Sequence, residues 1–98
     1  MHNIISRKKL IDFWQRFPDA KEALESWYAE AKAANWQTPA EIKAQYRNAS
    51  ILKDSRVVFN ICGNKYRLIV KISYHASIVL IRFVGTHKEY DAINAETI

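Results

Sequence analysis

The segment Arg56–Asp91, RVVFNICGNKYRLIVKISYHASIVLIRFVGTHKEYD, decides how this chain folds. Apolar and polar residues alternate along it with a period of two, the mark of strands that turn one face to a core. Gly63-Asn64 interrupts the alternation as a two-residue hairpin tip. That tip sets Cys62 opposite Lys65, Ile61 opposite Tyr66, Asn60 opposite Arg67 and Phe59 opposite Leu68. Parity then sorts the side chains. One face carries Val57, Phe59, Ile61, Tyr66, Leu68, Val70 and Ile72; the other carries Arg56, Val58, Asn60, Arg67, Ile69 and Lys71 and is cationic. A second turn lies within Tyr74–Ser77. With His75-Ala76 as its tip, Val79, Ile81 and Phe83 are predicted in the core, Arg82 on the polar face opposite Ile69, and Val84 beside Arg67. The chain therefore leaves the sheet at Gly85 and brings the polar cluster Thr86-His87-Lys88-Glu89-Tyr90-Asp91 to a corner shared with Asn60 and Arg67.

Upstream, the periodicity changes to that of helices. His2–Ile5 is an apolar opening suited to an edge strand. Ser6 then stands as an N-cap before Leu10, Phe13, Trp14 and Phe17, whose spacing predicts a helix over 7–16. Pro18 ends it and suits the start of the next. There Ala20, Ala23, Leu24, Trp27, Tyr28, Ala31 and Ala34 form one stripe, with charged residues on the other side. Thr38-Pro39-Ala40-Glu41 is a capping box that opens a short helix over 39–46. Residues 48–55 are a polar passage around Ile51-Leu52. The fold expected is α+β, with N-terminal helices packed on one face of a mainly antiparallel β-sheet.

Ninety-eight residues allow one domain, 1–98, with one core; a chain of this size buries about two-thirds of its unfolded surface. The apolar fraction is 49% and there are only two Gly and two Pro, which argues against disorder. One cysteine, Cys62, excludes an internal disulfide. The longest purely apolar run, Ile78–Ile81, is far too short to span a bilayer, and no signal-peptide core precedes it, so a cytoplasmic protein without membrane contact is expected. The net charge of +5 is unevenly placed: residues 55–88 hold six Lys or Arg and no carboxylate. A basic patch on one element is the electrostatic footprint of a polyanion, with nucleic acid first among the candidates.

If the polyanion is RNA, the corner holds the groups that metal-free cleavage requires. The 2′-hydroxyl can serve as internal nucleophile on the adjacent phosphate. That chemistry needs a proton acceptor, a proton donor to the leaving 5′-oxygen and fixed positive charge for the phosphorane. Histidine is the side chain type that changes charge near neutral pH, so His87, the one histidine expected at this corner, is the candidate acid or base. Arg67, Arg82 and Lys88 can supply charge, arginine matching phosphate oxygens in a two-pronged way. Tyr90 can stack on a base or take part in proton transfer. Lys65 can reach a phosphate, Asn60 can donate to one or position Arg67, and Lys71 lies on the same cationic face. No His or Cys spacing suggests a metal site, and no cofactor is expected. Two readings from other classes remain: a non-catalytic RNA- or ribosome-binding module, and a basic domain that docks an acidic protein. The first usually needs exposed aromatics on the sheet, whereas parity puts Phe59, Tyr66 and Phe83 in the core.

The runs VVFNICGNKYRLIVKI and IRFVGTHKEYD, with Trp27-Tyr28, Trp36-Gln37-Thr38-Pro39 and Lys43 ahead of them, closely resemble the HigB-type toxins of bacterial type II toxin–antitoxin modules, within the RelE-like superfamily. The resemblance covers nearly the whole chain. It implies a small RelE-like fold and a metal-independent endoribonuclease, an mRNA interferase that cuts mRNA in the ribosomal A site and inhibits translation. It also implies a helix-turn-helix antitoxin of the HigA type, through which alone the toxin would meet operator DNA. By position, Arg67 matches the superfamily's phosphate-contacting arginine. His87 stands where many members have a catalytic arginine, and Tyr90 lies near their C-terminal functional tyrosine. Asn60 occupies the region where the superfamily carries lysines.

Overall fold

The computed structural model describes residues 1–98. Five strands form one sheet in the order β1-β5-β4-β3-β2, with β1 Asn3–Ile5, β2 Ser50–Ile51, β3 Arg56–Ile61, β4 Tyr66–Ser73 and β5 Ile78–Thr86. All neighbours are antiparallel except β1, which runs parallel to β5. Four helices complete the fold: α1 Arg7–Arg16, α2 Lys21–Ala33, α3 Pro39–Gln45 and α4 His87–Asp91. A single 3-10 turn, Pro18–Ala20, separates α1 from α2. The α+β architecture expected from the sequence is present. No helix is long and apolar enough to cross a membrane.

The helices form where local chemistry directs them. Thr38 Oγ1 accepts from the Glu41 N–H, and Pro39 takes the first helical position, where its missing N–H has no cost. The apolar stripes of α1 and α2 then close on the first sheet face. Leu10, Phe13, Leu24, Trp27 and Ala31 join Val57, Phe59, Ile61, Tyr66, Leu68, Val70 and Ile72 in one buried cluster. Phe59 is its aromatic centre, in contact with the rings of Trp27, Trp36 and Tyr46. His2 is also buried here, its Nε2 accepting from the Trp36 N–H at 3.0 Å. Desolvation lowers its pKa, so it is held neutral.

The β3–β4 hairpin has the expected register, with Asn60 opposite Arg67 and Ile61 opposite Tyr66. The β4–β5 pair starts as expected, Ser73 with Ile78 and Val70 with Ile81. It then shifts by one residue, so that Ile69 faces Phe83, Leu68 faces Val84 and Arg67 faces Gly85. Arg82 is the extra residue of a β-bulge. Beyond it every side chain changes face: Val84 packs on the core, and Phe83 moves to the second face, half-buried. The expected core position of Phe83, and Arg82 opposite Ile69, are thus corrected.

The second face also differs from the open cationic surface the pattern suggests. Val58 is 3% exposed and Ile69 fully buried, yet neither belongs to the main core. The segment after α4 comes back over this face. The Ile98 carbonyl oxygen accepts from Arg56 Nε and Nη2 at 3.2 and 2.9 Å and from Arg82 Nε at 3.3 Å, and Lys53 pairs with Glu96. Two apolar side chains between cations need a lid, and the chain supplies one. What stays accessible is the row at the hairpin end, Asn60 and Arg67, and Lys71 at the other end.

Truncating Phe59 removes the centre of the aromatic cluster. Phe59→Ala is expected to cost about 3–5 kcal/mol, read as a lower urea midpoint at unchanged slope.

Candidate active site

The corner forms where β5 ends. Thr86 pairs with Tyr66, and the His87 N–H donates to the Lys65 carbonyl at 3.3 Å, so the start of α4 is fastened to the hairpin. Thr86-His87-Lys88-Glu89 is itself a capping box. Thr86 Oγ1 accepts from the Glu89 N–H at 3.1 Å, and Glu89 Oε1 accepts from the Thr86 N–H at 2.9 Å. That box turns an exit loop into a helical turn, and the S/T-x-x-E spacing was legible in the sequence. On this turn His87, Tyr90 and Asp91 stand three and four residues apart, which puts them on one side.

His87 Nδ1 lies 3.1 Å from Asp91 Oδ2. A carboxylate can only accept, so Nδ1 carries the proton in this contact and Nε2 is the nitrogen turned to an incoming group. Both side chains are half or more exposed, so the pair contributes little to stability and chiefly orients the ring. Arg67 is held from two directions. Its Nη1 donates to the Asn64 carbonyl at 3.0 Å, and its guanidinium stands 5.6 Å from the Tyr90 ring centroid. Gly85 sits directly opposite Arg67, and a Cβ there would meet the Phe83 ring at 2.5 Å and Glu89 Oε1 at 3.1 Å. Only glycine lets the Phe83 ring lie along the strand at this point.

Of the expected site residues, His87, Arg67, Tyr90 and Asn60 come together, and Lys88 projects from α4 without an ion pair. Lys65 is at the corner but engaged by Asp19, which also accepts from the Tyr66 hydroxyl at 2.6 Å. Arg82 lies at the bulge, tied to Ile98. Lys71 is four residues along β4 from Arg67, roughly 13 Å away. Two residues were missed. Asp91 escapes notice because its role comes from a helical turn not expected there. Phe83 does so because a bulge leaves no mark in an alternating pattern. No three His, Cys, Asp or Glu side chains gather as a metal-binding group.

Carboxylates from outside the acid-free segment temper the corner. The Lys65 ammonium beside Asp19, with the Tyr66 hydroxyl, holds the Asp19 carboxyl below its ordinary range, and Asp19 in turn raises Lys65. The Thr86 N–H, followed by Arg16 at 3.3 Å, does the same for Glu89. Burial, with Asp19 as acceptor, pushes the Tyr66 phenol up.

Helices against a mostly antiparallel sheet, with a basic corner at the hairpin, fit a class that comparison with known proteins identifies. Residues 20–93 match the family model for HigB toxin, the RelE-like toxic component of a toxin–antitoxin system. The mRNA interferase toxin HigB of Escherichia coli K12 is 31% identical over 97 residues, covering 97% of this chain and 92% of its own length. The mRNA interferase HigB of Shigella flexneri matches to the same extent, and that of Escherichia coli O6:H1 is 27% identical over 95 residues, covering 95% of this chain and 91% of its own. The chain belongs to the HigB toxin family.

Asp19 and Glu89 both titrate lower in the folded chain than in the unfolded one. Their contribution is complete above the ordinary carboxylate range, about pH 4, and is lost as the pH falls through the folded values. Melting temperatures from pH 3 to 7 should show Asp19→Asn less stable than the parent at neutrality, with the gap closing below about pH 4.

Proposed function

We propose that this toxin is a metal-independent endoribonuclease that cuts mRNA in the A site of the ribosome and so inhibits translation. The observation that carries the reading is the His87–Asp91 pair beside the Arg67–Tyr90 pair at one corner. The interferase names of the relatives support it.

In the proposed reaction the 2′-oxygen of one nucleotide attacks its own 3′-phosphorus. The bond from phosphorus to the 5′-oxygen of the next nucleotide breaks, leaving a 2′,3′-cyclic phosphate and a 5′-hydroxyl. The 2′-hydroxyl loses a proton and the leaving oxygen gains one, so the step is balanced without water or metal. His87 Nε2 handles proton transfer, with Asp91 fixing its tautomer and stabilising the imidazolium when it forms. Arg67, already braced by the Asn64 carbonyl, offers its remaining donors to the phosphorane oxygens, and Lys88 adds charge. Tyr90 holds the guanidinium and offers its ring to a base. Asn60, opposite Arg67 across the β3–β4 pair, offers its unbonded amide to the RNA. Lys71 binds RNA backbone farther along β4, in the ribosomal setting, while Lys65 and Arg82 meet RNA beside the contacts they already make with Asp19 and Ile98. A HigA-type helix-turn-helix antitoxin restrains the toxin in the cytoplasm and carries the contact to operator DNA.

One observation favours a second reading, a non-catalytic RNA- or ribosome-binding module. Phe83, turned onto the second face by the bulge, gives that face an aromatic next to Arg67. Cut message separates the two.

His87→Ala and Arg67→Ala should each lower cleavage about 10²–10⁴-fold and abolish growth arrest, while circular dichroism shows the parent fold. Growth arrest retained by both folded variants would place the chemistry elsewhere. Arg67→Lys keeps the charge but loses the two-pronged geometry, so it should recover only a small part of the rate.

A further inference from the structure

A second concave surface adjoins Asn60 on the side away from Arg67. β3 pairs with β2 only as far as Val58, so its outer edge over 59–61 has no strand partner. The chain between α3 and β2 stands off this edge and leaves an open cleft of about 300 Å³. Gln45, Arg47, Asn48, Asn60 and Gly63 line it, together with the aromatic residues Tyr46 and Phe59. No carboxylate does.

The polar groups of this cleft are unusually free. Asn48, Asn60 and Arg47 have no side-chain hydrogen bond within the protein. Gln45 Oε1 accepts from the Trp36 indole at 3.0 Å, which fixes the amide and leaves its NH₂ as the unpaired end. A carboxamide presents a donor and an acceptor side by side, the arrangement that matches the edge of a nucleobase. Arg47 stays protonated and suits the phosphate that accompanies a base. The open edge of β3 adds backbone donors and acceptors at the same place. Because Asn60 and Arg67 are direct partners across β3 and β4, about 5 Å separates the two strands, less than the reach of one nucleotide.

We propose that this cleft is a nucleobase subsite, in which Asn48, with Gln45 and Asn60, reads the base next to the cleaved bond and sets the sequence preference of the toxin. The inference rests on the ribonuclease reading above and adds a specificity determinant to it.

Ribosomes programmed with defined A-site codons, incubated with the full chain and mapped by primer extension, test it. The parent should cut codons that differ at one position next to the scissile bond with a ratio of roughly tenfold or more, the scale of a paired base contact. Asn48→Ala should bring that ratio close to one. Asn48→Asp, which keeps the shape but replaces the donor by an acceptor, should shift the preference toward a base that presents a donor there. Asn48 is exposed and unbonded, so both variants should fold like the parent. A ratio unchanged in both variants, a parent without base preference, or an equal loss of cutting at every codon would overturn the subsite while leaving the ribonuclease reading intact. A parent that cuts no codon at all would remove both.

Discussion

Strand β4 pairs along its whole length with β5 and over Tyr66–Lys71 with β3, and the one residue by which β5 exceeds it decides which side chains meet at the candidate corner. Arg82 has no partner in the ladder, so the parity of β5 reverses beyond it. Gly85 then comes to lie opposite Arg67, Phe83 lies along Gly85, and Thr86 reaches Tyr66 in the position from which α4 can start. Without the extra residue, Val84 would stand beside Arg67 and the α4 turn would be displaced by one residue. His87 owes its place to a two-versus-one count in a ladder some distance away.

The corner combines strong cations with carboxylates that arrive from other elements. Asp19, from the turn between α1 and α2, takes up Lys65; Glu89 caps α4 and meets Arg16; Asp91 orients His87. Arg67 and Lys88 are left without a carboxylate partner. This division suits phosphate chemistry. Under the proposed reaction the unpaired charge faces the phosphorane, and the remaining cations serve to hold the hairpin, α1 and α4 in register.

The second sheet face follows the same economy. Its two apolar residues, Val58 and Ile69, are covered by the segment that follows α4, and that cover consumes Arg56 and Arg82 as anchors. A face that alternates cation and aliphatic along each strand is therefore largely an interior surface. Its hairpin end, with the neighbouring cleft at the edge of β3, and Lys71 at the opposite end offer polar groups to a ligand.

Much was legible in the residues alone. The period of two and the Gly63-Asn64 tip determined the β3–β4 register, the helical stripes determined α1 and α2, and Thr38-Pro39 determined where α3 begins, because each of these is a local rule of backbone geometry. The candidates His87, Arg67, Tyr90 and Asn60 followed from that register and from the family resemblance. The bulge at Arg82, the exposure of Phe83, the capture of Lys65 by Asp19 and the cover over Val58 and Ile69 were decided only in the tertiary structure. A bulge has no composition of its own. The contacts of Asp19, Ile98 and Asp91 depend on how far elements travel before they meet, which spacing along the chain does not specify.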